Sequence, residues 1–394
     1  MKILFHHRIA SRDGQAVHME ELIAALHAQG HETILVGPAG FHQTAFGGSA
    51  GIVDRIKRAI PAWGFEVLEL GYNIPAFFRL AAAIRRHRPD VIYERFSLFL
   101  LAGVWAQRLS RLPLLMEVNS PLFEERARND GLRLHALGRW AQRVLWTRAD
   151  AVLPVTQVLA DTIRAYGVSP QQIAVIPNGI DLGRFGAPLD TDAAKQALGL
   201  TGRTVIGFTG FIRGWNAIDR IIDFVAEHGA ALNLHLLVVG DGPAHAPLLD
   251  HARARGVPDR LTITGVVPRD SIAQHVAAFD IAVIPGLTPY SSPLKLFEYM
   301  ALRRAVVAPD TANIREILTD GVDATLFDLS DPGRFENALL RLCRDPAMRM
   351  RTGKAARATI DERGLTWARN ATRVAAIAHA AIETRTPEAL HAVR

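Results

Sequence analysis

The chain has 394 residues, of which 49% are hydrophobic and 21% charged, with a net charge of +6. This composition excludes a disordered or collagen-like chain, and the length favours two globular domains. The single cysteine, Cys343, excludes an internal disulfide framework and is typical of a reducing compartment. We therefore expect a cytoplasmic protein, and the opening residues MKILFHH predict a strand and no signal peptide.

Short apolar runs predict the strands of two parallel sheets. The first set comprises KILFHH (2–7), TILVG (33–37), FEVLEL (65–70), VIYERF (91–96), PLLMEV (113–118), AVLPVT (151–156) and IAVIPN (173–178). The second set comprises TVIGFTG (204–210), LHLLVVG (234–240), LTITG (261–265), IAVIPG (281–286) and AVVAP (305–309). Such continuous runs indicate strands buried on both faces, and helical patterns fill most gaps between them.

This alternation predicts an α/β protein built of two Rossmann-like parallel-sheet lobes that face each other across a cleft. We expect one domain over residues 1–182 and a second over 183–365, with a turn at Asn178, Gly179 and Asp181 between them. A last helix from Trp367 to about Ile382, within segment 366–394, is expected to pack back on the first domain. The longest apolar run, 96–106, is too short to span a membrane and is interpreted as a buried helix.

The segment around Lys295 suggests an anion site. Ser292 and Pro293 predict the N-cap and first position of a helix, which places Lys295 in its first turn. A cation there opposes the helix dipole, whereas a bound anion would meet both the ammonium and the free backbone N–H groups. Glu298, one turn further, can accept two hydroxyl hydrogen bonds, so the pair suits the diphosphate and ribose of a sugar nucleotide. A solvated Lys–Glu pair on a surface helix remains the alternative.

Several motifs along nearly the whole chain resemble those of glycosyltransferase family 4, whose members have the GT-B architecture and retain anomeric configuration. They are DGQAVHMEEL, RADAVLPVT, IAVIPNGID, GFTGFIRGW, LLVVGDGP, FDIAVIPG, SPLKLFEYMAL with AVVAPD and IREIL, and Trp367 near the end. The resemblance implies an enzyme that transfers a sugar from a UDP-, GDP- or dTDP-sugar to a glycan, lipid-linked or small-molecule acceptor. It implies no cofactor and no bound metal.

The resemblance also implies roles for individual residues. The second lobe is expected to hold the donor, with Glu298 on the ribose and the amides of residues 292–295 around the diphosphate. Lys295 and Arg213 are the predicted diphosphate cations, because an ammonium and a guanidinium both suit phosphate oxygens. The other residues assigned by resemblance to the donor site are Ser292, Leu294, Tyr290, Val267 and, from the first lobe, Gly14.

The chain departs from the family pattern at several positions. Tyr290 replaces the first glutamate of a Glu-x7-Glu pair, which leaves the contacts to the transferred sugar open. Asn119 stands where a histidine near the reacting sugar is common; it can hydrogen-bond a hydroxyl but cannot act as a base. Phe211 and Asn216 occupy the region of a usual basic residue, and Arg303 replaces a helix-ending glycine, which predicts a strained left-handed backbone there.

Polar residues at predicted strand ends of the first lobe are candidates for acceptor contacts. His6, His7 and His18 lie at or just after the end of the first strand. Glu94 and Arg95 end another strand, and Glu117 is unusual for a strand interior. We take His18, Glu117 and Arg95 as the acceptor candidates. Structural histidines and an internal ion pair explain the same residues equally simply.

Two further features have competing interpretations. Asp190, Thr191 and Asp192 match an Asp-x-Asp metal motif, but their position before AAKQALGL favours a helix N-cap. Basic residues of segment 52–60 and of the helix that carries Arg79 and Arg85 would suit peripheral contact with an anionic membrane at the inner face of the cell membrane, as would solvated helix faces. Nucleic acid is not expected, because no reading module is present.

Three other functions fit parts of the pattern. A dinucleotide oxidoreductase would share the lobes, but the first strand-to-helix turn reads SRDGQA and lacks the G-x-G-x-x-G fingerprint. A sugar-nucleotide epimerase and a non-catalytic glycan-binding relative stay open because of Tyr290 and Asn119.

Overall fold

The computed structural model describes residues 1–9, 14–38, 60–129 and 131–385. These form two compact units, one of residues 1–177 with the C-terminal segment from Trp367, and one of Asn178–Thr366. The first division therefore falls five residues before the boundary predicted from the sequence.

Unit 1 is a five-stranded parallel sheet covered by helices. Its strands are β1 (Lys2–His6), β2 (Glu32–Val36), β3 (Val91–Arg95), β4 (Leu114–Val118) and β5 (Ala151–Pro154), in the order β2-β1-β3-β4-β5. Its helices are α1 (Gly14–Ala28), α2 (Ala62–Gly71), α3 (Asn73–His87), α4 (Ala102–Ser110), α5 (Leu122–Arg128), α6 (His135–Arg148) and α7 (Gln157–Ala165). Strand order reverses between β1 and β3, where His6 lies opposite Glu94.

Unit 2 contains a six-stranded parallel sheet. Its strands are β6 (Thr204–Thr209), β7 (Leu234–Val239), β8 (Leu261–Ile263), β9 (Ile281–Val283), β10 (Ala305–Pro309) and β11 (Thr325–Phe327), in the order β11-β10-β9-β6-β7-β8. Its helices are α8 (Leu182–Phe185), α9 (Thr191–Ala197), α10 (Asp219–His228), α11 (His245–Ala254), α12 (Ile272–Ala277), α13 (Leu294–Ala301), α14 (Ala312–Arg315), α15 (Pro332–Arg344) and α16 (Pro346–Arg363). This is the doubly wound nucleotide-binding order, and its switch point lies between β6 and β9.

The last helix, α17 (Trp367–Glu383), belongs to unit 1 and packs on α1. Asn370 fixes it to the end of unit 1, because its side-chain amide donates to the Pro177 carbonyl at 2.7 Å. The buried Trp367 and His18 contact each other edge to face, with ring centroids 5.0 Å apart.

Several predicted elements differ in the structure. FEVLEL is part of helix α2: its two glutamates have partners elsewhere in unit 1, while Val67 and Leu68 are exposed. IAVIPN adds only an isolated bridge between Val152 and Ile173. In the run 96–106 the first six residues form a buried loop and the helix begins at Ala102, while β11 has no counterpart among the predicted strands.

Two local predictions about caps and strain are confirmed. Asp190 is the N-cap of α9, and its carboxylate accepts from the Asp192 and Ala193 amides at 2.9 and 3.4 Å. Arg303 has a φ of 57°, the left-handed conformation that a glycine would adopt without strain.

Candidate active site

The carboxyl end of β6 supports the lysine predicted to bind an anion. Helix α13 begins at Leu294, so Lys295 lies in its first turn, as the sequence predicts. The Lys295 ammonium lies 3.5 Å from the centroid of the Phe208 ring, a cation–π contact with a residue of β6. Burial lowers the pKa of Lys295 to about 7, although Glu298 partly offsets this. The lysine is thus a cation held where its charge is poorly solvated, and an added anion would stabilise it.

Glu298 lies one turn after Lys295 and is fixed by the end of β6. The Thr209 hydroxyl donates to Glu298 Oε2 at 3.4 Å, and the Thr209 amide donates to the Tyr299 hydroxyl at 2.8 Å. Burial raises the pKa of Tyr299 well above its ordinary value, so its hydroxyl stays neutral. The structure therefore brings Lys295 and Glu298 together at the switch point of the unit 2 sheet.

Two glycines allow the backbone to pass close to this pair. Gly210 follows β6 with a φ of 121°, and a Cβ at this position would lie 3.2 Å from the Lys295 ammonium nitrogen. Gly240 follows β7 with a φ of 143°, and its Cβ would lie 2.1 Å from the Gly210 carbonyl oxygen. Only residues without a side chain fit here, so the approach to Lys295 depends on both.

The predicted cap at Ser292 is wrong. Pro293 is the N-cap residue of α13 and makes no side-chain cap. The Ser292 hydroxyl instead accepts from the Asn178 amide at 3.1 Å, and the Asn178 side chain donates to the Ser292 carbonyl. Proline has no hydroxyl with which to cap, and Asn178 competes for the serine. The helix is therefore anchored by the first residue of unit 2.

The loop before α13 is held from a second side as well. Asn313 of α14 is fully buried, and its side-chain amide donates to the Ser291 and Thr288 carbonyls at 2.7 and 3.3 Å. Asn178 and Asn313 thus fix the backbone that leads into Lys295. Neither residue is among the site residues predicted from the sequence, although Asn178 lies in the quoted IPNGID motif.

The other predicted donor residues are placed less decisively. Arg213 is exposed on the loop after β6, with its guanidinium 5.1 Å from the Phe211 ring. Asn216 is buried, and its side-chain oxygen accepts from the Arg213 amide at 2.8 Å. Three of the remaining donor candidates are half-buried: Tyr290, Leu294 and Val267. The fourth, Gly14, is exposed at the start of α1.

Unit 1 contains a buried polar cluster centred on Glu117 at the end of β4. Its Oε1 accepts from Arg95 Nη1 at 2.6 Å and from the Asn119 side chain. Its Oε2 accepts from the Tyr93 hydroxyl at 2.8 Å and lies 3.0 Å from His18 Nε2. The structure therefore brings together all three acceptor candidates, with Asn119.

The charge state of Glu117 follows from these partners. Burial alone would raise its pKa, but His18 and Arg95, with hydrogen bonds from His18 and Tyr93, outweigh burial and hold the pKa far below its ordinary value. Tyr93 responds in the opposite direction: burial and the carboxylate raise its pKa well above normal. Glu117 is thus a permanent anion whose two oxygens meet four neighbouring side chains.

The two other histidines at the end of β1 have structural partners. His6 Nδ1 forms a short hydrogen bond with Glu94 Oε2, and both side chains are almost fully buried. His7 Nδ1 accepts from the Ile9 amide at 3.1 Å. Among the residues that the structure describes, Glu94 Oε1 has no hydrogen-bond partner. These contacts match the internal ion-pair interpretation of Glu94.

Within the described ranges, one group of side chains has the spacing of metal ligands. Glu227, His228 and Glu336 have ligand atoms within 4.8 Å of one another. They lie at the end of α10 and on α15, towards the amino ends of the strands. This group is therefore at the opposite edge of the sheet from Lys295.

Comparisons with known proteins match family models to both units of the chain. The family model Glycosyltransferase Family 4 matches residues 12–184, and the model Glycosyl transferases group 1 matches residues 203–345. Together the two models span most of the chain, which therefore carries the GT-B glycosyltransferase signature. The first of these models is the family that the motifs resembled.

Individual relatives of the chain are distant. The 2-deoxystreptamine glucosyltransferase of Streptomyces kanamyceticus is 30% identical over 201 residues, which cover 48% of this chain and 50% of the relative. The D-inositol 3-phosphate glycosyltransferase of Kribbella flavida is 29% identical over 364 residues, 86% and 83% of the two chains. The chain spans about half to three fifths of the length of the first curated relatives it matches.

A solved structure shows the same fold. The crystal structure of Anabaena HepE in complex with UDP has a TM-score of 0.75 and 20% identity, and covers 95% of this chain and 98% of its own. This similarity confirms the predicted fold, with two parallel-sheet α/β units.

Proposed function

We propose that the protein is a retaining glycosyltransferase that moves a sugar from a nucleoside-diphosphate sugar to a hydroxyl of a glycan, lipid-linked or small-molecule acceptor. The observation that carries the proposal is the Lys295 ammonium at the start of α13, next to Glu298 and at the switch point of the unit 2 sheet. An anionic ligand would stabilise this half-buried, poorly solvated ammonium, and a diphosphate supplies one. Glu298 supplies an acceptor for the two ribose hydroxyls.

The proposed step is a front-face displacement. The bond between the sugar anomeric carbon and the diphosphate oxygen breaks, and the acceptor oxygen bonds to that carbon on the same face. The acceptor proton passes to the departing phosphate oxygen, so the products are the glycoside and the nucleoside diphosphate. Lys295, Arg213 and the first amides of α13 stabilise the charge that develops on the leaving group. Loss of one such charge-assisted contact, as in Lys295→Ala, is expected to lower kcat/KM by about 10- to 150-fold.

No resident metal is needed in this proposal, because an ammonium and a guanidinium supply the positive charge. Activity is therefore expected to survive a chelator. Activity that EDTA abolishes and a divalent cation restores would contradict this part. The single cysteine supports a cytoplasmic setting.

The acceptor half of the proposal rests on the Glu117 cluster. Because both carboxylate oxygens already meet two partners each, we assign Glu117 the role of positioning His18, Arg95 and Asn119, in place of the predicted direct contact. Arg95 and Asn119 have further polar atoms that can meet sugar hydroxyls. Unit 1 is thus the proposed acceptor unit and unit 2 the proposed donor unit.

Ligand binding followed by product analysis tests the proposal. Thermal-shift screening of UDP-, GDP- and dTDP-sugars should reveal a donor that raises Tm, because it binds only the native state. Structures of HepE contain UDP or UDP-glucose, so uridine nucleotides come first. NMR of the product anomeric proton should then show retained configuration. Inverted configuration, or interconversion of sugar nucleotides without an acceptor, would contradict the proposal and favour another mechanism or an epimerase.

A further inference from the structure

Helices α2, α3 and α4 of unit 1 expose an unusual amount of apolar surface. Six large apolar side chains on them leave between 49% and 70% of their surface exposed: Trp63, Val67, Leu68, Ile74, Phe78 and Leu109. Trp105 of α4 is 39% exposed. These seven make up more than half of the exposed large hydrophobic residues of the described chain. We call them the apolar face.

Ring contacts and helix spacing join the α3 and α4 parts of the face. Phe77 contacts both Phe78 and Trp105, with centroid distances of 5.7 and 6.2 Å, and so joins α3 to α4. Ile74 and Phe78 are four residues apart, hence neighbours on one side of α3. Contiguous apolar surface of this kind marks a binding surface in a soluble domain.

The charges around the apolar face are almost all positive. The only acidic residues of the three helices are Glu66 and Glu69. Glu66 is buried and accepts from the Arg133 and Leu134 amides, and Glu69 is paired with arginines. The exposed arginines of α3 and α4 and of their C-terminal ends are Arg79, Arg85, Arg86, Arg88, Arg108 and Arg111.

The same helices cannot leave the domain to cross a membrane. The stretch Trp63–His87 is long and apolar enough for a span by length and composition. Asn73 ties it down: its side-chain nitrogen donates to the Leu70 and Phe99 carbonyls, and its side-chain oxygen accepts from the Leu101 and Ala102 amides. Removal of the helix would leave these buried groups without partners. One side of the stretch therefore stays in the core.

We propose that the apolar face lies in the headgroup region of a bilayer that contains anionic phospholipid. An apolar surface flanked by arginines and anchored at its back is the pattern of a monotopic membrane contact. The arginines contact lipid phosphates, while Trp63, Phe78 and Trp105 enter the boundary with the acyl chains. The basic residues of segment 52–60, which were also predicted to make this contact, lie outside the described residues.

Vesicle flotation tests the proposal with the full chain. We expect binding to phosphatidylcholine mixed with phosphatidylglycerol and little binding to phosphatidylcholine alone. Arg85→Gln with Arg86→Gln should weaken binding about 30-fold, since each arginine near an anionic surface contributes about fivefold. A matched change of two exposed unit 2 cations, Arg351→Gln with Lys354→Gln, should leave binding unchanged.

A second pair of variants tests the apolar contribution. Ile74→Ser with Phe78→Ser should weaken vesicle binding at least about tenfold, whereas Val322→Ser with Leu329→Ser, exposed apolar residues of unit 2, should not. Lipids brominated in their acyl chains should quench tryptophan fluorescence, and Trp63→Phe with Trp105→Phe should remove that quenching.

Several outcomes would overturn the membrane proposal. These are equal binding to neutral and anionic vesicles, no binding to either, equal loss in the matched variants, or a dimer that Ile74→Ser with Phe78→Ser dissociates. Sugar-nucleotide affinity, measured on the same variants, should not change. An unchanged sugar-nucleotide affinity shows that a variant has lost membrane contact without misfolding. The same measurement distinguishes a failure of the membrane proposal from a failure of the proposed transferase activity.

Discussion

Binding of a sugar nucleotide should be coupled to proton uptake by Lys295. In the ligand-free protein Lys295 has a pKa of about 7, because burial disfavours its charge. At pH 8 only about a tenth of the free protein therefore carries the ammonium. A bound diphosphate favours the charged form and returns the pKa towards its ordinary value near 10.4. Binding at pH 8 should take up about 0.9 proton per nucleotide, compared with about 0.1 at pH 6.

Isothermal titration calorimetry in buffers of different ionisation enthalpy measures this number directly. The ligand should be an intact sugar nucleotide, because its doubly substituted diphosphate has no group that titrates near neutral pH. Above pH 7 the affinity should fall by up to about tenfold per pH unit, until the pKa of the complex is reached. Lys295→Arg is the matched control, since a guanidinium stays charged throughout and should bind without proton uptake. Uptake of the same size in Lys295→Arg, or none in the wild type, would refute the reasoning.

Three further variants test the two clusters. Lys295→Met should raise the stability of the ligand-free protein at pH 6 by about 1–3 kcal/mol, and this gain should shrink as pH rises from 7 to 10 because the wild-type lysine then becomes neutral. Thermal unfolding from pH 6 to pH 10 measures the gain, and a lower Tm for the variant at pH 6 would contradict the prediction. Glu298→Gln should weaken sugar-nucleotide binding about tenfold with Tm almost unchanged, and it should move the proton uptake to lower pH, because Glu298 raises the pKa of Lys295. An unchanged affinity in calorimetry would show that Glu298 is not part of the site. Glu117→Gln should lower kcat/KM for the acceptor and cost roughly 2–4 kcal/mol of stability, because it neutralises the buried partner of Arg95 and His18, while donor affinity stays the same. An unchanged kcat/KM for the acceptor would show that Glu117 has only a structural role.

The parallel-strand pattern of the sequence was informative because buried strands are continuous apolar runs. Ten of the twelve predicted runs contain a strand of the structure. FEVLEL failed because a short apolar run also fits a helix, and its glutamates have partners about 65 residues away in sequence, which no local pattern reveals. The short edge strand β11 was missed because its three residues lie between two nearby aspartates in DATLFD and do not extend into a longer apolar run, as the three residues of β9 do in IAVIPG.

In the candidate site, too, local spacing predicted some residues, whereas others depend on partners distant in sequence. Lys295 and Glu298 could be placed because helix geometry relates residues three apart. The Ser292 cap could not, because the partner that competes for its hydroxyl, Asn178, is 114 residues away. The Glu117 cluster draws on β3, the end of β4 and α1, so only the sheet order brings its members together. The polar strand ends signalled that something lies there, without showing which residues pair.

The central claim is that a diphosphate binds at the start of α13. A crystal of the protein soaked with the sugar nucleotide that gives the largest Tm shift tests it most directly. We expect the Lys295 ammonium within about 3 Å of a diphosphate oxygen and Glu298 accepting from the ribose hydroxyls. A nucleotide bound elsewhere, or bound with both side chains directed away from it, would contradict the account.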